Sequence, residues 1–137
     1  MKPKTFITHH LVKSEDLNHH GTLFAGRNSE WFVEAGFIAA AGCIPPENIV
    51  CRNIHGITFA RPVNMGEIVR FESKVIDAGR THLVALIHMF GKAEDEIVRG
   101  FITFVCVDKD AKAFPHGIVI TPKSPEDIAL QEEAKAL

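Results

Sequence analysis

Between Trp31 and Gly42, the most apolar stretch of this chain, only Glu34 is charged. A carboxylate is costly to bury unless it is paired or protonated, and burial raises its pKa toward the range of a general base. Glu34 therefore reads as a general base or nucleophile, or else as a carboxylate that touches solvent or pairs with an arginine of a partner chain. Just upstream, the run Asn18-His19-His20-Gly21-Thr22-Leu23-Phe24-Ala25-Gly26 is polar and punctuated by glycine. Gly26 places free backbone N–H groups at the start of the following helix, where they can donate to a developing oxyanion. Plain turn geometry is the other account of Gly21 and Gly26. The Asn18 side chain suits a water or a carbonyl, and equally an Asx turn. His19 and His20 are proton carriers near neutral pH or exposed loop residues.

The elements that must position these groups can be read from pattern. Residues 4–12 mix β-branched and polar types and form a first strand. Residues 27–43 are Ala-rich and lack proline, which predicts a helix closed by Gly42 and Pro45-Pro46. On a helical wheel Trp31, Ala35, Ile38 and Gly42 share one stripe, while Val33, Phe37 and Ala40 occupy much of the rest. Such a helix should be buried on most sides. Strand-like runs follow at 49–59, 67–77, 82–90 and 97–107, with turn residues between them, as antiparallel hairpins require. Ser124-Pro125-Glu126-Asp127 opens a short peripheral helix over about 124–136, a candidate for packing on a neighbouring subunit. One α+β domain over 1–137 results, with its core at about 5–108: a curved antiparallel sheet wrapped round a long central helix, the hot-dog architecture.

Composition narrows the function. A net charge of -2 without a basic cluster argues against nucleic acid as a partner. No apolar run approaches the length of a membrane span, and the start lacks a signal-peptide layout, so a cytoplasmic location is expected. Cys43, Cys51 and Cys106 are an odd set without metal-ligand spacing, consistent with reduced thiols. The eight histidines form no known zinc pattern, and no metal is expected.

The loop run resembles the Asn-x-x-Gly-Thr-x-Phe-Gly-Gly motif of the acyl-CoA thioesterase branch of the hot-dog superfamily. A second block, His55-Gly56-Ile57-Thr58-Phe59-Ala60-Arg61-Pro62-Val63 through Gly66-Glu67-Ile68-Val69, is similar to that branch's Gly-x-Thr-Phe-x-Arg-Pro-Val and following Gly-Asp/Glu. The resemblance covers roughly residues 5–108. It implies hydrolysis of an acyl-CoA to free acid and coenzyme A with no separate cofactor. It also implies a homodimer joined edge to edge, assembling further into a tetramer or hexamer. An acidic residue on the central helix and Asn18 from the opposite protomer would be catalytic, with Gly26 at the oxyanion site. His20, Phe24, His55, Gly56, Arg61, Arg80 and Thr81 would meet the substrate or its CoA part. The sequence departs from the family at one place: the position of the usual catalytic Asp holds Val33, and the acid follows as Glu34. A hot-dog hydratase or dehydratase, or a non-catalytic acyl-CoA sensor, are the alternative functions.

Overall fold

The computed structural model describes residues 1–137. Five strands form a single antiparallel sheet: β1 (Phe6–Leu11), β2 (Ile49–Ile54), β3 (Ile68–Ala78), β4 (His82–Phe90) and β5 (Glu96–Cys106), in the order β1-β3-β4-β5-β2. The chain leaves β1 at one edge, crosses the sheet as helix α1 (Ala25–Ala41) and enters β2 at the opposite edge. This is the antiparallel sheet around a long helix that the sequence predicts.

Side-chain alternation assigns the two faces of the sheet. On β4, Leu83, Ala85, Ile87 and Met89 join the main core under α1, whereas Val84 and Leu86 join a second, smaller cluster. On β5, Ile102 and Phe104 face inward and Phe101 outward. The α1 side of the core is supplied by Trp31, Phe32, Ala35, Ala39 and Ala40. Helix and sheet approach closely at Gly36, where an added Cβ would lie 3.1 Å from Ile87 and 3.2 Å from Ile102. Ser73, buried on β3, donates to the Ala35 carbonyl at 2.7 Å and fixes the helix across the strands.

The C-terminal helix α2 (Pro125–Lys135) begins as predicted, with the Ser124 hydroxyl accepting from the Asp127 N–H at 3.0 Å. It packs on the outer face of its own sheet, where Ala134 and Leu130 cover the second cluster. Lys74–Asp127 and Arg99–Glu133 ion pairs, at 2.6 and 2.7 Å, hold its two ends. Few apolar residues suffice because the charges do part of the docking.

Two expectations are corrected. The strand predicted over 49–59 ends at Ile54, because Gly56 takes a left-handed φ of 81° and breaks the pleat. Beyond it the chain stays tethered along β5 through His55 N–H to Phe101 O and Ala60 N–H to Ile97 O, both 2.9 Å. Helix α1 is buried on one face only within the chain, leaving Val33, Phe37, Ile38 and Ala41 half-buried and Glu34 exposed. No helix is long and apolar enough to cross a membrane.

Candidate active site

The loop before α1 is pinned by backbone bonds, Leu23 N–H to Val63 O at 2.8 Å and Phe24 N–H to Asp16 O at 2.9 Å. Phe24 therefore enters the helix as its N-cap in an extended conformation, and no side chain caps it. The first intrahelical bond runs from Asn28 N–H to Phe24 O at 3.0 Å. The N–H groups of Ala25, Gly26 and Arg27 lie in the first turn, where no helical acceptor exists, and the loop supplies none. Three aligned donors at the positive end of a helix dipole form a ready site for an oxyanion. Gly26 is in the middle of the three, and the exposed Phe24 ring lies against it, where an added Cβ would come within 2.5 Å of the ring.

Beside this helix start lies a cleft of about 340 Å3, bounded by Asn18, Thr22, Ala25 and Asn28 on one side and Phe59 and Arg61 on the other. Asn18 organises its loop as an Asx turn: its Oδ1 accepts from the N–H groups of His20 at 2.9 Å and Thr22 at 3.2 Å. Its Nδ2 donates to Thr22 Oγ1 at 3.1 Å. A carboxamide nitrogen has two hydrogens, so one is left for a ligand in the cleft. Asn18 and Ala25, the first of the helix-start donors, thus line one cleft of the same chain, whereas the family resemblance places Asn18 opposite the helix start of the other protomer.

Glu34 is not part of that arrangement. It is exposed, and it projects from the flank of α1 that faces β1, where its charge acts on His10. Within the chain Glu34 touches solvent, the second of its two readings, because the 100° step from Val33 carries it away from Phe37, which packs on Phe104 of β5. Val33 occupies the flank toward the β5/β2 side, half-buried.

The remaining predicted contacts divide. Arg61 is committed: its fork donates to Asp95 at 2.6 Å and to Glu67 at 3.0 and 3.2 Å, and to the Pro62 carbonyl at 2.9 Å. These carboxylates raise its pKa further, and its charge holds Glu67 and Asp95 below the usual carboxylate range. It is a brace of the cleft wall, with four of its five N–H donors committed to these partners. His55 bonds Thr103 Oγ1 through Nε2 at 2.7 Å on the outer face of the sheet, away from α1. With Gly56 it steers the segment that forms the far cleft wall. His20 is exposed, its ring against His19. Arg80 is exposed with its guanidinium unpaired, in the β3–β4 turn beside Thr81, at the opposite end of the sheet from the cleft.

Sequence reasoning missed Asn28. It is 4 % exposed, lines the cleft, and its Oδ1 has no hydrogen-bond partner. The signal was present: Asn28, Trp31 and Ala35 fall on one helical stripe, so a polar side chain there had to be buried.

Residues 20–98, spanning the loop, α1 and strands β2 to β4, match the family model described as the thioesterase superfamily. The chain belongs to that superfamily. A Bacillus subtilis (strain 168) protein named as an acyl-CoA thioester hydrolase is 26% identical to this chain over 124 residues, 87% of this chain and 71% of that one. An apo-hexameric acyl-CoA thioesterase superposes with a TM-score of 0.81 at 25% identity, covering 96% of this chain and 86% of the other. The Staphylococcus aureus acyl-CoA hydrolase, solved with butyryl coenzyme A and coenzyme A, superposes with a TM-score of 0.79 at 20% identity, covering 96% and 80%. The chain thus shares the hot-dog fold of those proteins, and its match to the family model includes the residues that build the helix start.

Proposed function

We propose that this thioesterase hydrolyses acyl-CoA thioesters to the free acid and coenzyme A. The observation that carries the reading is the set of three unpaired N–H groups at Ala25, Gly26 and Arg27, opening beside a cleft that also holds Asn18. Water adds to the thioester carbonyl carbon, and the oxygen that becomes negative is held by the helix-start donors and the free Asn18 N–H. Collapse breaks the C–S bond; the water's proton ends on the departing sulfur, giving acid and thiol. With Val33 where relatives place an Asp, and Glu34 on the far flank, the site relies on oxyanion stabilisation and positioning. Turnover is therefore expected to be slow, and tight CoA-ester binding without thiol release is the second reading that Val33 favours.

The same reading includes a homodimer. The free edge of β2 exposes Val50 and Ile54, at 43% and 41%, and the apolar flank of α1 with Val33 and Phe37 lies on the same side. Two-fold antiparallel pairing of two β2 edges covers both and extends the sheet. It also sets the Gly79-Arg80-Thr81 turn of a second copy at the same end of the joined sheet as this chain's cleft, since turn and cleft lie at opposite ends of one chain. Arg80 then meets the CoA phosphates across the seam. Hexamers among the structural neighbours support further assembly of such dimers. Free-thiol release from short-, medium- and long-chain acyl-CoAs tests the activity: cleavage supports it, and intact esters with measurable binding favour the second reading.

A further inference from the structure

We propose that Asn28 is a substrate contact: a turn of its side-chain amide presents the unpartnered Oδ1 to the cleft, where it accepts a hydrogen bond from an O–H or N–H carried by the thioester substrate close to the reacting carbonyl. The proposal rests on the thioesterase reading and adds to it a polar substrate group that the site requires. Two observations carry it. Asn28 is 4 % exposed and its Oδ1 is shielded from solvent without any partner, whereas nearly all buried acceptors in folded proteins are bonded. It also lines the cleft beside Ala25, the first of the unpaired helix-start donors, so a carbonyl held there has its neighbouring atoms within the same cleft.

The cleft has a consistent chemistry. Asn18, Thr22 and Asn28 make its helix-side wall polar, and the buried Leu23 and Val63 close it behind them. Because the Asn28 acceptor already lacks a partner in the free protein, a plain alkyl chain gains nothing from it, whereas a ligand carrying a donor gains a hydrogen bond. Two substrate groups present a donor near a thioester carbonyl: a hydroxyl on the acyl group, and the secondary amide N–H on the thiol side of coenzyme A.

The test compares butyryl-CoA with 3-hydroxybutyryl-CoA on wild type and Asn28→Leu, reading thiol release and, in parallel, calorimetric binding. A wild-type preference for the hydroxyacyl ester of about tenfold or more, erased in Asn28→Leu, supports the proposal with the acyl hydroxyl as donor. Equal handling of both esters by wild type, with KM or Kd raised about tenfold for both in Asn28→Leu, supports it with the amide N–H as donor. A folded Asn28→Leu that treats both esters within about twofold of wild type overturns it, as does a variant whose only change is loss of the oligomer, which would make Asn28 a subunit contact. Should Asn28→Leu not fold, Asn28→Ala takes its place under the same criteria. If wild type cleaves neither ester, the hydrolytic reading falls, and the binding ratios alone decide for or against Asn28.

Discussion

His10 lies flat against Trp31, their ring centroids 4.3 Å apart and their planes 11° from parallel, with Phe71 edge-on to both. The stack seats β1 on α1 at the flank opposite the free β2 edge. Burial lowers the His10 pKa from 6.5, an effect opposed by the charges of Glu34 and Asp16 and assisted by those of Lys13 and His9.

A group with its folded pKa lowered contributes stability that is complete above the unfolded value and is lost as pH falls through the folded value. Stability should therefore decline from about pH 6.5 downward in wild type. Trp31 is the only tryptophan, so its emission reports the stack directly. A fluorescence change through this range that is absent in His10→Phe is expected; an identical pH profile in the variant would show that the stack does not titrate.

Arg80 and Arg61 should behave differently despite their shared charge. Arg80→Ala removes an unpaired guanidinium and should raise KM for acyl-CoA about tenfold, the size of one charge-assisted phosphate contact, with little change in melting temperature. Arg61→Gln frees Glu67 and Asp95, so it should lower the melting temperature and do so less at high salt. The reverse pattern would exchange their roles.

The helix–sheet seam can be probed at Ser73 and Gly100. Ser73→Ala deletes the bond to the Ala35 carbonyl and should cost about 1 kcal/mol in chemical denaturation. At Gly100 an added Cβ would lie 2.9 Å from the Phe32 ring and 3.0 Å from the Gly56 carbonyl oxygen, which belongs to the backbone and cannot swing aside. Gly100→Ala should cost about 1–3 kcal/mol, more than Ser73→Ala; equal costs would mean that the segment at Gly56 yields easily.

If β2 edges pair, Ile54→Lys should lower the assembly state in sedimentation by setting like charges near the two-fold. Unchanged sedimentation would place the subunit contact elsewhere.

Much of the fold was legible because it follows from period. The alternation along Leu83 to Met89 specified a strand with two different faces, and the Ala-rich run through Trp31 and Phe37 specified a long apolar helix. The strand end at Ile54 was not legible, since residues 55–59 have strand-like composition and only the left-handed Gly56 ends the pleat. Within the site, the glycine loop revealed the helix-start donors. Sequence alone did not give the direction of Glu34, which depends on which flank of α1 meets the sheet. Nor did it show that Arg61 is committed, because Asp95 lies 34 residues away and arrives through the β4–β5 turn.

The most direct test of the central claim is free-thiol release from an acyl-CoA panel by wild type, Asn18→Ala and Glu34→Ala, each checked for native circular dichroism. Wild type should turn over, Asn18→Ala should lose about 100-fold in kcat, and Glu34→Ala should stay within about threefold, because Asn18 lines the same cleft as Ala25 and Glu34 lies outside it on the flank toward β1. A Glu34→Ala variant as inactive as Asn18→Ala, or a wild type that releases no thiol from any ester, would contradict it.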